Sequence, residues 1–586
     1  MADAAAAFRQ AARAQARGEL DAAEAGYRAL VGAPGAPVAS IWANLSAIAI
    51  ARADPQAAEA AACRALALAP GSANAHNNLG LALSARGEAA AAREAFAAAV
   101  RADPTHAEAW GNLAAAEAER GAHEAALAAA LRGLDADPSS PAAATQALYL
   151  AADTASWDGL DAIIARIRAL VASGAAVNPY ALFSVCLDPE EMRRAARNCA
   201  RAAIAAPAAP AVARSPAPRG DGRMTLGYFS STLRAHATGY LLRRVLEAHD
   251  RDRVRLVAYV YGSPRESPEE QAFTCVVRAP FEAVIDVSSM TDAAAAAAIR
   301  TDGPDVLLDV DGHANGGRPR VLAARPAPFQ ASWLGYLGPM GRPLVDAVVA
   351  DAELVPPGDE RFFDEAVLRL PGGFFPGDGA RPVSDRFRSR AELGLPEAGA
   401  VFCAFNQPRK ITPSALATWA AILHGAPGSV LWLWDRNPVA TANLRAAFAA
   451  QGIGGERLVF APSLPNPDHL CRYRFADVVL DSWPYNGHTM TSDALYMGAP
   501  VVTLRGRTMP SRVAASLLAR LGVADALVAR TPQDYARTAL RLAADPALRR
   551  RLSATIRARA PAALFDATRI ARELEDALIG AAAARG

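Results

Sequence analysis

Two patterns of apolar and polar positions follow one another along the chain. Up to about residue 205, alanine-rich segments have the amphipathic spacing of helices that bury one face. From about residue 222, short apolar or β-branched runs such as MTLGYFS, VRLVAYVYG and DVLLDVDG alternate with helical stretches. The pattern predicts an all-helical first part and an α/β second part.

Asparagines recur at a fixed step in the helical part. Asn44, Asn78 and Asn112 are equally spaced, since 78 − 44 = 34 and 112 − 78 = 34. Further residues keep the same step, namely Pro70, Pro104 and Pro138, and also Gly87 and Gly121. A 34-residue period with proline closing each unit and glycine at the turn between two helices is that of the tetratricopeptide repeat. We therefore predict an α-solenoid over residues 1–145.

The three asparagines are predicted to lie on the concave face of this array. Side-chain amides there can bind the backbone of an extended peptide without reading its sequence. The alternative is that Asn44, Asn78 and Asn112 only tie neighbouring repeats together. Spacing alone leaves both interpretations open.

The second part of the chain is predicted to form two lobes. Residues 146–222 form a helical connector that ends in a proline-rich linker, APAAPAVARSPAPRGDG (206–222). Alternating strands and helices are typical of doubly wound parallel sheets, whose ligands bind beyond the carboxyl ends of the strands. We expect Rossmann-like lobes over residues 223–395 and 396–586, with a cleft between them and a closing C-terminal helix.

Charge and cysteine usage exclude several classes of partner. Lys+Arg 61 against Asp+Glu 59 leave a net charge of +2, so neither nucleic acid nor a membrane surface is predicted as a partner. The chain has no signal-peptide pattern and no run of about 18 apolar residues, so a cytoplasmic protein is expected. Its six cysteines show no metal spacing, which predicts reduced, mostly buried thiols and no metal site.

The segment DVVLDSWPYNGHTMTSDALYMGAPVVTL, residues 477 to 504, carries the most informative pattern. It predicts a strand, a turn and a helix that begins near Thr489. Free N–H groups and hydroxyls at such a helix start suit a pyrophosphate. Asp493, one turn later, is expected to accept hydrogen bonds from ribose hydroxyls. An ordinary capped helix is the alternative.

The chain has a single lysine among its 61 basic residues, Lys410, which follows an apolar strand in VFCAFNQPRKITP. An ammonium group there can neutralise a departing diphosphate without a metal ion. Gln407, beside it, is a candidate contact for a nucleotide base or phosphate. His469 and Arg472 lie on one face of a predicted helix, and they either grip the nucleotide or form a solvated helix face.

Two further patterns lie in the first lobe. His236 follows the first predicted strand and is either a base or substrate contact or a structural histidine. Asp309 and Asp311 form a DVD motif that invites a metal-binding interpretation. We reject that interpretation because Asp309 lies inside an apolar strand pattern and the chain offers no companion ligands.

Five segments agree with one known family in order and mutual spacing. They are RPAPFQASWLGYLG, AFNQPRKI, DHLCRYRFADVVLD, NGHTMTSDALYMGAPVVTL and SRVAASLL. Together they resemble the O-GlcNAc transferase family, which includes the plant SPINDLY branch, over nearly the whole chain. The resemblance implies tetratricopeptide repeats joined to a GT-B catalytic region.

The resemblance also implies donor-binding roles for residues of the second lobe. Lys410 and the Thr489 helix start are expected to hold the diphosphate. Gln407 and Arg472 are expected to contact the nucleotide, and Asp493 to take the ribose.

Other implied roles concern the base, the sugar and the acceptor. His469 is expected to stack on uracil and His488 to lie near the donor. The residues expected to line the sugar pocket are Gly316, Leu334 and Gly335. His236 matches the histidine once proposed as general base in the family, and we expect substrate contact rather than proton transfer.

Three positions depart from the animal members of the family. Asn466 replaces a lysine shortly before His469, LGPMG (337–341) replaces PGTSG, and Met490 replaces the second threonine of HTT. These departures predict weaker phosphate binding and a different acceptor fit. The long insert of the animal enzymes between the lobes is also missing, which points to a bacterial-type enzyme.

The sequence thus predicts an inverting protein O-GlcNAc transferase that moves N-acetylglucosamine from UDP-GlcNAc to Ser or Thr of proteins bound along the repeat groove. No cofactor or metal is expected, and a homodimer is left open. One alternative is a SPINDLY-type O-fucosyltransferase using GDP-fucose, against which His488 argues. The other is a non-catalytic repeat scaffold, against which the retention of Lys410 and Asp493 argues.

Overall fold

The computed structural model describes residues 2–185, 188–205, 222–262, 267–314 and 316–584. The predicted proline-rich linker, apart from Gly222, and Cys186 lie outside these described residues. The chain forms two compact units. The first is made chiefly of residues up to 151 together with Ala162–Leu170, and the second of Ala152–Asp161, Val171–Ile204 and the residues from 222 onward.

The first unit is an all-helical array, as predicted. Its helices are α1 (Ala2–Ala16), α2 (Leu20–Leu30), α3 (Val38–Ala51), α4 (Pro55–Leu68), α5 (Ala73–Ala85), α6 (Ala89–Ala102), α7 (Ala107–Glu119) and α8 (His123–Ala136). They pack as successive pairs, and α5 and α7 begin 107 − 73 = 34 residues apart. The predicted α-solenoid is confirmed for this region.

Small residues allow the paired helices of the array to approach closely. Ala58, Ala65 and Ala75 are fully buried between helices. Gly80 on α5 lies against the Phe96 ring of α6, and a Cβ added at Gly80 would meet that ring at 2.4 Å. Alanine and glycine at these contacts therefore set the helix spacing, because larger side chains would overlap their neighbours.

The predicted connector is helical. It contains α9 (Pro141–Asp153), α10 (Leu160–Ser173) and α11 (Pro189–Ala205), so the predicted array end at residue 145 falls inside α9. Helix α11 packs on the first lobe, where Arg197 pairs with Asp364 at 2.5 Å.

The first lobe is a seven-stranded parallel sheet with helices between its strands. The strands are β1 (Met224–Ser230), β2 (Val254–Val260), β3 (Ala283–Asp286), β4 (Val306–Asp309), β5 (Phe329–Ser332), β6 (Ala347–Ala350) and β7 (Ala366–Arg369). The helices are α12 (Ala237–Ala248), α13 (Pro268–Arg278), α14 (Asp292–Asp302) and α15 (Pro319–Ala323). The strand order β3-β2-β1-β4-β5-β6-β7 reverses direction beside β1, as in Rossmann folds.

The second lobe repeats this topology with six parallel strands. They are β8 (Val401–Ala404), β9 (Val430–Trp434), β10 (Leu458–Ala461), β11 (Val478–Leu480), β12 (Val501–Leu504) and β13 (Val528–Ala529), in the order β10-β9-β8-β11-β12-β13. Its helices are α16 (Pro413–Gly425), α17 (Pro438–Ala450), α18 (Asn466–Arg472), α19 (Thr489–Tyr496), α20 (Val513–Arg520), α21 (Ala524–Leu527), α22 (Pro532–Ala544) and α23 (Pro546–Leu564). Both predicted Rossmann-like lobes are therefore present.

The last helix, α24 (Ala567–Ala583), returns to the first lobe and packs on α12. Its Glu575 accepts a hydrogen bond from the His249 ring at 2.8 Å, and both side chains are fully buried. The closing helix, which follows the second lobe in the chain, thus packs back onto the first lobe and contributes to its core.

The cysteines differ from the prediction of mostly buried thiols. Cys403 and Cys471 are buried, but Cys63 and Cys275 are exposed, since they lie on the outer faces of α4 and α13. All five described cysteines are free. No described helix is long and apolar enough to cross a lipid bilayer.

Candidate active site

A cavity of about 310 Å³ lies between the two lobes of the second unit. Its first-lobe wall comes from the start of α12, and its second-lobe wall from the ends of β9 and β10 and from α18 and α19. The lining residues are Ala237, Tyr240, Leu241, Asp378, Arg381, Trp434, Ser463, Leu464, Asn466, His469, Arg472, Thr489, Met490 and Asp493. The cavity occupies the carboxyl side of both parallel sheets, where doubly wound folds bind their ligands.

Lys410 lies in a 3₁₀ turn just beyond the carboxyl end of β8. Its ammonium donates to the Asn486 carbonyl oxygen at 2.7 Å and lies 3.7 Å from the centre of the Tyr485 ring. Burial, assisted by the neighbouring Arg409 charge and opposed by Asp481, lowers the pKa of Lys410 to about 7. Because Asn486 shortly precedes Thr489 in the chain, this contact holds the lone lysine beside the amino end of α19.

Asp481, at the end of β11, organises the loop that leads into α19. Its carboxylate accepts hydrogen bonds from the Gly487 N–H at 2.6 Å and from the Thr503 hydroxyl at 2.6 Å. Burial raises the pKa of Asp481 to about 7, although these hydrogen bonds and Lys410 oppose the shift. Gly487 is packed closely, since an added Cβ would meet the Asn406 Oδ1 atom at 2.6 Å.

Helix α19 begins directly after His488, so the first N–H groups of the helix have no intrahelical partner. The His488 Nε2 atom lies 3.2 Å from the Pro510 carbonyl oxygen, which only accepts, so this nitrogen carries the proton. Loss of water around the ring, together with the Lys410 charge, holds the pKa of His488 well below its usual range. Thr489 and Met490 line the cavity, so an anion in the cavity would meet the positive end of the helix dipole.

Asp493 is one of the two carboxylates that line the cavity. It forms an ion pair with Arg381, and its second oxygen lies 3.5 Å from the His469 Nε2 atom. Burial acts to raise the pKa of Asp493, but the contacts with His469 and Arg381 outweigh it and lower that pKa below the usual value. Asp493 is therefore ionised at neutral pH and still lines the cavity, as its predicted ribose role requires.

His469 and Arg472 share one face of α18, as their spacing predicted. Arg472 donates to the Pro462 carbonyl at 2.8 Å and to the His469 Nδ1 atom at 2.5 Å, and it lies over the Phe405 ring. It is only 2% exposed, so this face is not a solvated one. The geometry places Arg472 behind His469, where it orients the imidazole ring.

Gln407 and His236 lie on opposite sides of the cleft. Gln407 is partly exposed after β8, and its carbonyl accepts from the Lys410 N–H at 2.9 Å. His236 caps α12, where its Nδ1 atom accepts from the Thr238 N–H at 3.2 Å, and its ring is exposed. It adjoins Ala237, which lines the cavity. Their predicted contacts remain predictions.

The three predicted sugar-pocket residues lie in the loops that follow β4 and β5. Gly316 lines a second cavity of about 370 Å³ and lies near Ser231. Leu334 has a left-handed backbone with φ of 88°, which is rare for a branched residue and often found at functional loops. Gly335 approaches the Val310 carbonyl so closely that an added Cβ would lie 2.4 Å from its oxygen. None of the three lines the 310 Å³ cavity.

The two aspartates of the DVD motif serve the backbone. Asp311 accepts from the Ser231 N–H at 2.5 Å and from the Thr232 hydroxyl at 3.0 Å, and so shapes the loop that leads to His236. Asp309 accepts from the Gly312 N–H at 2.9 Å. Within the described ranges, no group of three or more His, Cys, Asp or Glu side chains is arranged to hold a metal ion.

The recurring asparagines of the array donate to the preceding repeat. Asn44 donates to the Tyr27 hydroxyl at 2.9 Å, Asn78 to the Ala43 carbonyl at 2.8 Å, and Asn112 to the Asn77 side chain at 2.8 Å. These contacts favour the alternative in which the asparagines tie neighbouring repeats together. Each amide is still partly exposed, and the predicted peptide contact remains a prediction.

Sequence reasoning missed several residues that shape this site. Arg381 comes from the segment between the lobes, Trp434 ends β9 in the cavity wall, and Tyr485 supports Lys410. Asp481 carried a signal, because an acidic residue at the end of an apolar strand is often a ligand or loop anchor. No sequence pattern singled out Arg381, because it lies in a segment without helix or strand periodicity.

The sequence of both lobes matches a known protein family. The model of glycosyl transferase family 41 matches residues 209–386 and 380–574, which together make up more than half of the chain. The chain belongs to glycosyl transferase family 41. A tetratricopeptide repeat model also matches residues 45–106 and 77–141. The resemblance recognised in the sequence is thereby confirmed.

Several relatives of this family 41 chain carry informative names. A probable UDP-N-acetylglucosamine–peptide N-acetylglucosaminyltransferase SEC of Arabidopsis thaliana is 30% identical over 362 residues, which cover 61% of this chain and 37% of the relative. A probable enzyme of the same description, SPINDLY of Solanum lycopersicum, is 31% identical over 330 residues, covering 55% of this chain and 34% of the relative. The matched region thus spans well under half the length of these curated relatives.

A solved structure matches most of the chain, including the repeat array. A Thermobaculum terrenum O-GlcNAc transferase mutant is 30% identical and superposes with a TM-score of 0.68, covering 93% of this chain and 98% of that chain. The predicted fold class, tetratricopeptide repeats followed by a GT-B region, is therefore confirmed.

Proposed function

We propose that this family 41 chain is an inverting protein O-GlcNAc transferase that moves N-acetylglucosamine from UDP-GlcNAc to Ser or Thr hydroxyls of proteins. The observation that carries the proposal is the position of the lone lysine. Lys410 is buried beside the amino end of α19, and that helix lines a cavity between two Rossmann-like lobes. An ammonium and a helix amino end together suit the diphosphate of a nucleotide-sugar.

In the proposed reaction, the acceptor hydroxyl oxygen bonds to the anomeric carbon while the bond from that carbon to the β-phosphate oxygen breaks. UDP leaves with the electron pair of the broken bond, and the proton of the acceptor hydroxyl passes to a phosphate oxygen of the departing UDP. Lys410, the first N–H groups of α19 and the Thr489 hydroxyl stabilise the charge that develops on the diphosphate. Because the protein supplies this positive charge itself, we propose that transfer needs no metal ion.

The remaining site residues are assigned to binding. Asp493 is ionised and lines the cavity, so we propose that it accepts ribose hydroxyls, while His469 packs on the base. Trp434 and Asn466 line the same part of the cavity and supply an aromatic face and an amide for a flat, polar ring. His236, on the first-lobe side, is proposed to contact substrate. Acceptor proteins are proposed to bind the repeat array.

The donor sugar has one competing candidate. SPINDLY proteins are among the relatives. That branch resembles the rest of the motif but usually lacks a histidine at the position of His488. This chain has His488 beside Lys410, so we propose UDP-GlcNAc rather than GDP-fucose as the donor. Calorimetry with each nucleotide-sugar separates the two, and tighter binding of GDP-fucose would contradict the assignment.

The substitution Lys410→Met tests the catalytic role. It keeps the buried volume and removes the charge, so kcat/KM for transfer to a protein acceptor is expected to fall by a factor of about 100 to 1,000, the usual effect of losing one stabilising group in an active site. Transfer is measured by mass spectrometry of the acceptor, in the presence of a metal chelator.

Arg409→Met is the matched control for that substitution. Arg409 lies in the same turn, but its guanidinium donates to the Tyr180 hydroxyl at 3.3 Å instead of reaching the amino end of α19. Its loss is expected to change kcat/KM less than about threefold, because Lys410 keeps its ammonium group and its contact with Asn486. Full activity of the Lys410 variant, or inactivity of the chelated wild type with either donor, would overturn the proposal.

A further inference from the structure

The segment Asp378–Arg381 passes from the first lobe to the second along the wall of the 310 Å³ cavity. At its start, Asp378 accepts from Arg243 at 2.5 Å and from Arg244 at 3.4 Å, both on α12. At its end, the Arg381 carbonyl accepts from the Tyr496 hydroxyl of α19 at 2.9 Å. The segment is thus fixed to both lobes beside the cavity.

The Arg381 side chain is held rigidly in this position. Its guanidinium lies 4.5 Å from the centre of the Tyr496 ring, its Nε atom donates to the Asp378 carbonyl at 3.2 Å, and its Nη1 atom pairs with Asp493. The side chain is only 10% exposed. A guanidinium fixed by three groups loses little conformational entropy when it binds a further acceptor.

One donor of this guanidinium has no acceptor in the part of the chain that the structure describes. The Arg381 Nη2 atom is buried and finds no hydrogen-bond partner among the described residues. Leaving a charged donor unpaired in a buried place is costly, so such groups are usually completed by a ligand or an ordered water. Because Arg381 lines the cavity, a ligand in the cavity is the natural acceptor.

The charges around the cavity favour an anion as that ligand. Its two carboxylates already have cationic partners, since Asp378 pairs with Arg243 and Asp493 pairs with Arg381. The other cation of the wall, Arg472, uses both Nη atoms for hydrogen bonds into the protein and keeps only its Nε atom unpaired among the described residues. Of the two arginines that line this cavity in the described part of the chain, Arg381 is therefore the one with a terminal Nη donor left to offer.

The position of Asp493 along α19 indicates which part of an anionic ligand Arg381 meets. Asp493 lies four residues after Thr489, which corresponds to about 6 Å of helix rise. A guanidinium held on Asp493 and the amino end of α19 are thus separated by roughly the length of a diphosphate group.

We propose that Arg381 binds a phosphate oxygen of the nucleotide-sugar donor through Nη2, while Asp493 holds its guanidinium in place. This inference rests on the proposed function, since it assigns a second cation to the same donor. Arg381 acts on the nucleotide side of the diphosphate, and Lys410 acts at the helix amino end. The negative charge of the donor is then balanced by two cations. Arg381 lies on the segment that joins the lobes, and Lys410 lies in the second lobe.

Calorimetric titration of the full chain with UDP and with uridine tests the proposal. Arg381→Gln is expected to weaken UDP binding by a factor of about 10 to 100, which is typical of losing a charge-assisted hydrogen bond to phosphate. Uridine has no phosphate, and its binding is expected to change less than about threefold. Arg381→Lys keeps the positive charge but lacks the paired N–H donors of a guanidinium. It is expected to weaken UDP binding by less than Arg381→Gln does.

Arg386→Gln is the matched control. Arg386 lies in the same connecting segment and pairs with Asp468 at 2.7 Å, but it is exposed and does not line the cavity. This variant is expected to bind UDP as the wild type does. If Arg381→Gln fails to fold, as judged by its thermal unfolding, Arg381→Lys carries the same comparison.

Two results would overturn the inference. Unchanged UDP binding in a folded Arg381 variant would remove the phosphate contact. An equal loss for uridine and UDP would show that Arg381 acts only through Asp493 or the fold. Failure of the wild-type chain to bind UDP at all is a different result, which would instead remove the proposed function.

Discussion

Three ionisable side chains meet at the amino end of α19, and burial shifts the pKa of each. Burial lowers the pKa of Lys410 and raises that of Asp481, both to about 7, and it keeps His488 neutral. Lys410 and Asp481 are therefore close to the point at which a nearby anion changes their protonation, whereas His488 stays neutral. The proposed diphosphate is such an anion, and its binding would favour the charged lysine.

Donor binding is expected to weaken as pH rises above 7. The pKa of Lys410 in the donor-free protein is about 7, so the ammonium that binds the diphosphate is present below that pH and is lost above it. Because donor binding is coupled to protonation of Lys410, the Kd for UDP-GlcNAc rises by up to about tenfold for each pH unit above that pKa. Calorimetry between pH 6 and 9 measures this slope, together with proton uptake on binding at pH 8.

Lys410→Arg is the control for this pH dependence. A guanidinium stays protonated throughout the range, so the variant is expected to show a flat Kd and no proton uptake above pH 7. A steep slope that survives in this variant would assign the pH dependence to Asp481 or to another group.

At the scale of elements, amide ladders hold the repeat array together. The Asn78 amide reaches the Ala43 carbonyl, and Gln146 makes the corresponding bond to Gly111 at 2.8 Å. Because each bond joins residues 35 positions apart, the ladder links each repeat to the one before it. Interactions of this kind between neighbouring repeats are what stabilise a solenoid.

Asn78→Ala is expected to loosen the array rather than to abolish acceptor binding. The lost hydrogen bond is worth about 1 kcal/mol, which corresponds to a roughly fivefold faster exchange of the amide hydrogens in α5. Hydrogen exchange of the full chain measures this change, and the KM for a protein acceptor is expected to rise less than about threefold.

Gln56→Ala, which removes an exposed amide on α4, serves as the control and is expected to change neither quantity. A tenfold rise in the acceptor KM of the Asn78 variant, without faster exchange, would instead support the peptide-binding interpretation.

At the scale of the whole catalytic unit, the last helix belongs to the first lobe. Tyr228 on β1 donates to the His249 ring at 2.8 Å, and that ring donates to Glu575 on α24. Glu575 also accepts from the Asp250 N–H at 2.9 Å. The core of the first lobe is therefore completed by residues more than 300 positions later in the chain.

Glu575→Ala is expected to destabilise the chain by about 3 to 5 kcal/mol, since it leaves the buried His249 ring and the partly buried Asp250 N–H without their acceptor. Unfolding in urea, followed by circular dichroism, measures the loss. Asp576→Ala is the neighbouring control. Asp576 is 67% exposed in its ion pair with Arg253, so its loss is expected to cost less than about 1 kcal/mol. Equal effects of the two substitutions would contradict the anchoring role of Glu575.

Much of the fold and part of the site could be predicted from the sequence. The step between Asn78 and Asn112 predicted the solenoid, and the apolar runs predicted both parallel sheets. Lys410 was found by its rarity, and α19 by the strand, turn and helix pattern before Asp493. These features are local, because helix and strand periodicities and turn residues act between positions only a few residues apart.

Only the tertiary structure decided which distant groups meet. Arg381 pairs with Asp493 across 112 positions, and α24, which follows the second lobe in the chain, packs on α12 of the first lobe. The amide donors of the array likewise proved to face the preceding repeat. Such pairings depend on how whole elements pack, and burial then sets the charges of Lys410 and Asp481. The sequence by itself therefore determined the elements and their order, whereas packing determined the partners and protonation of the site residues.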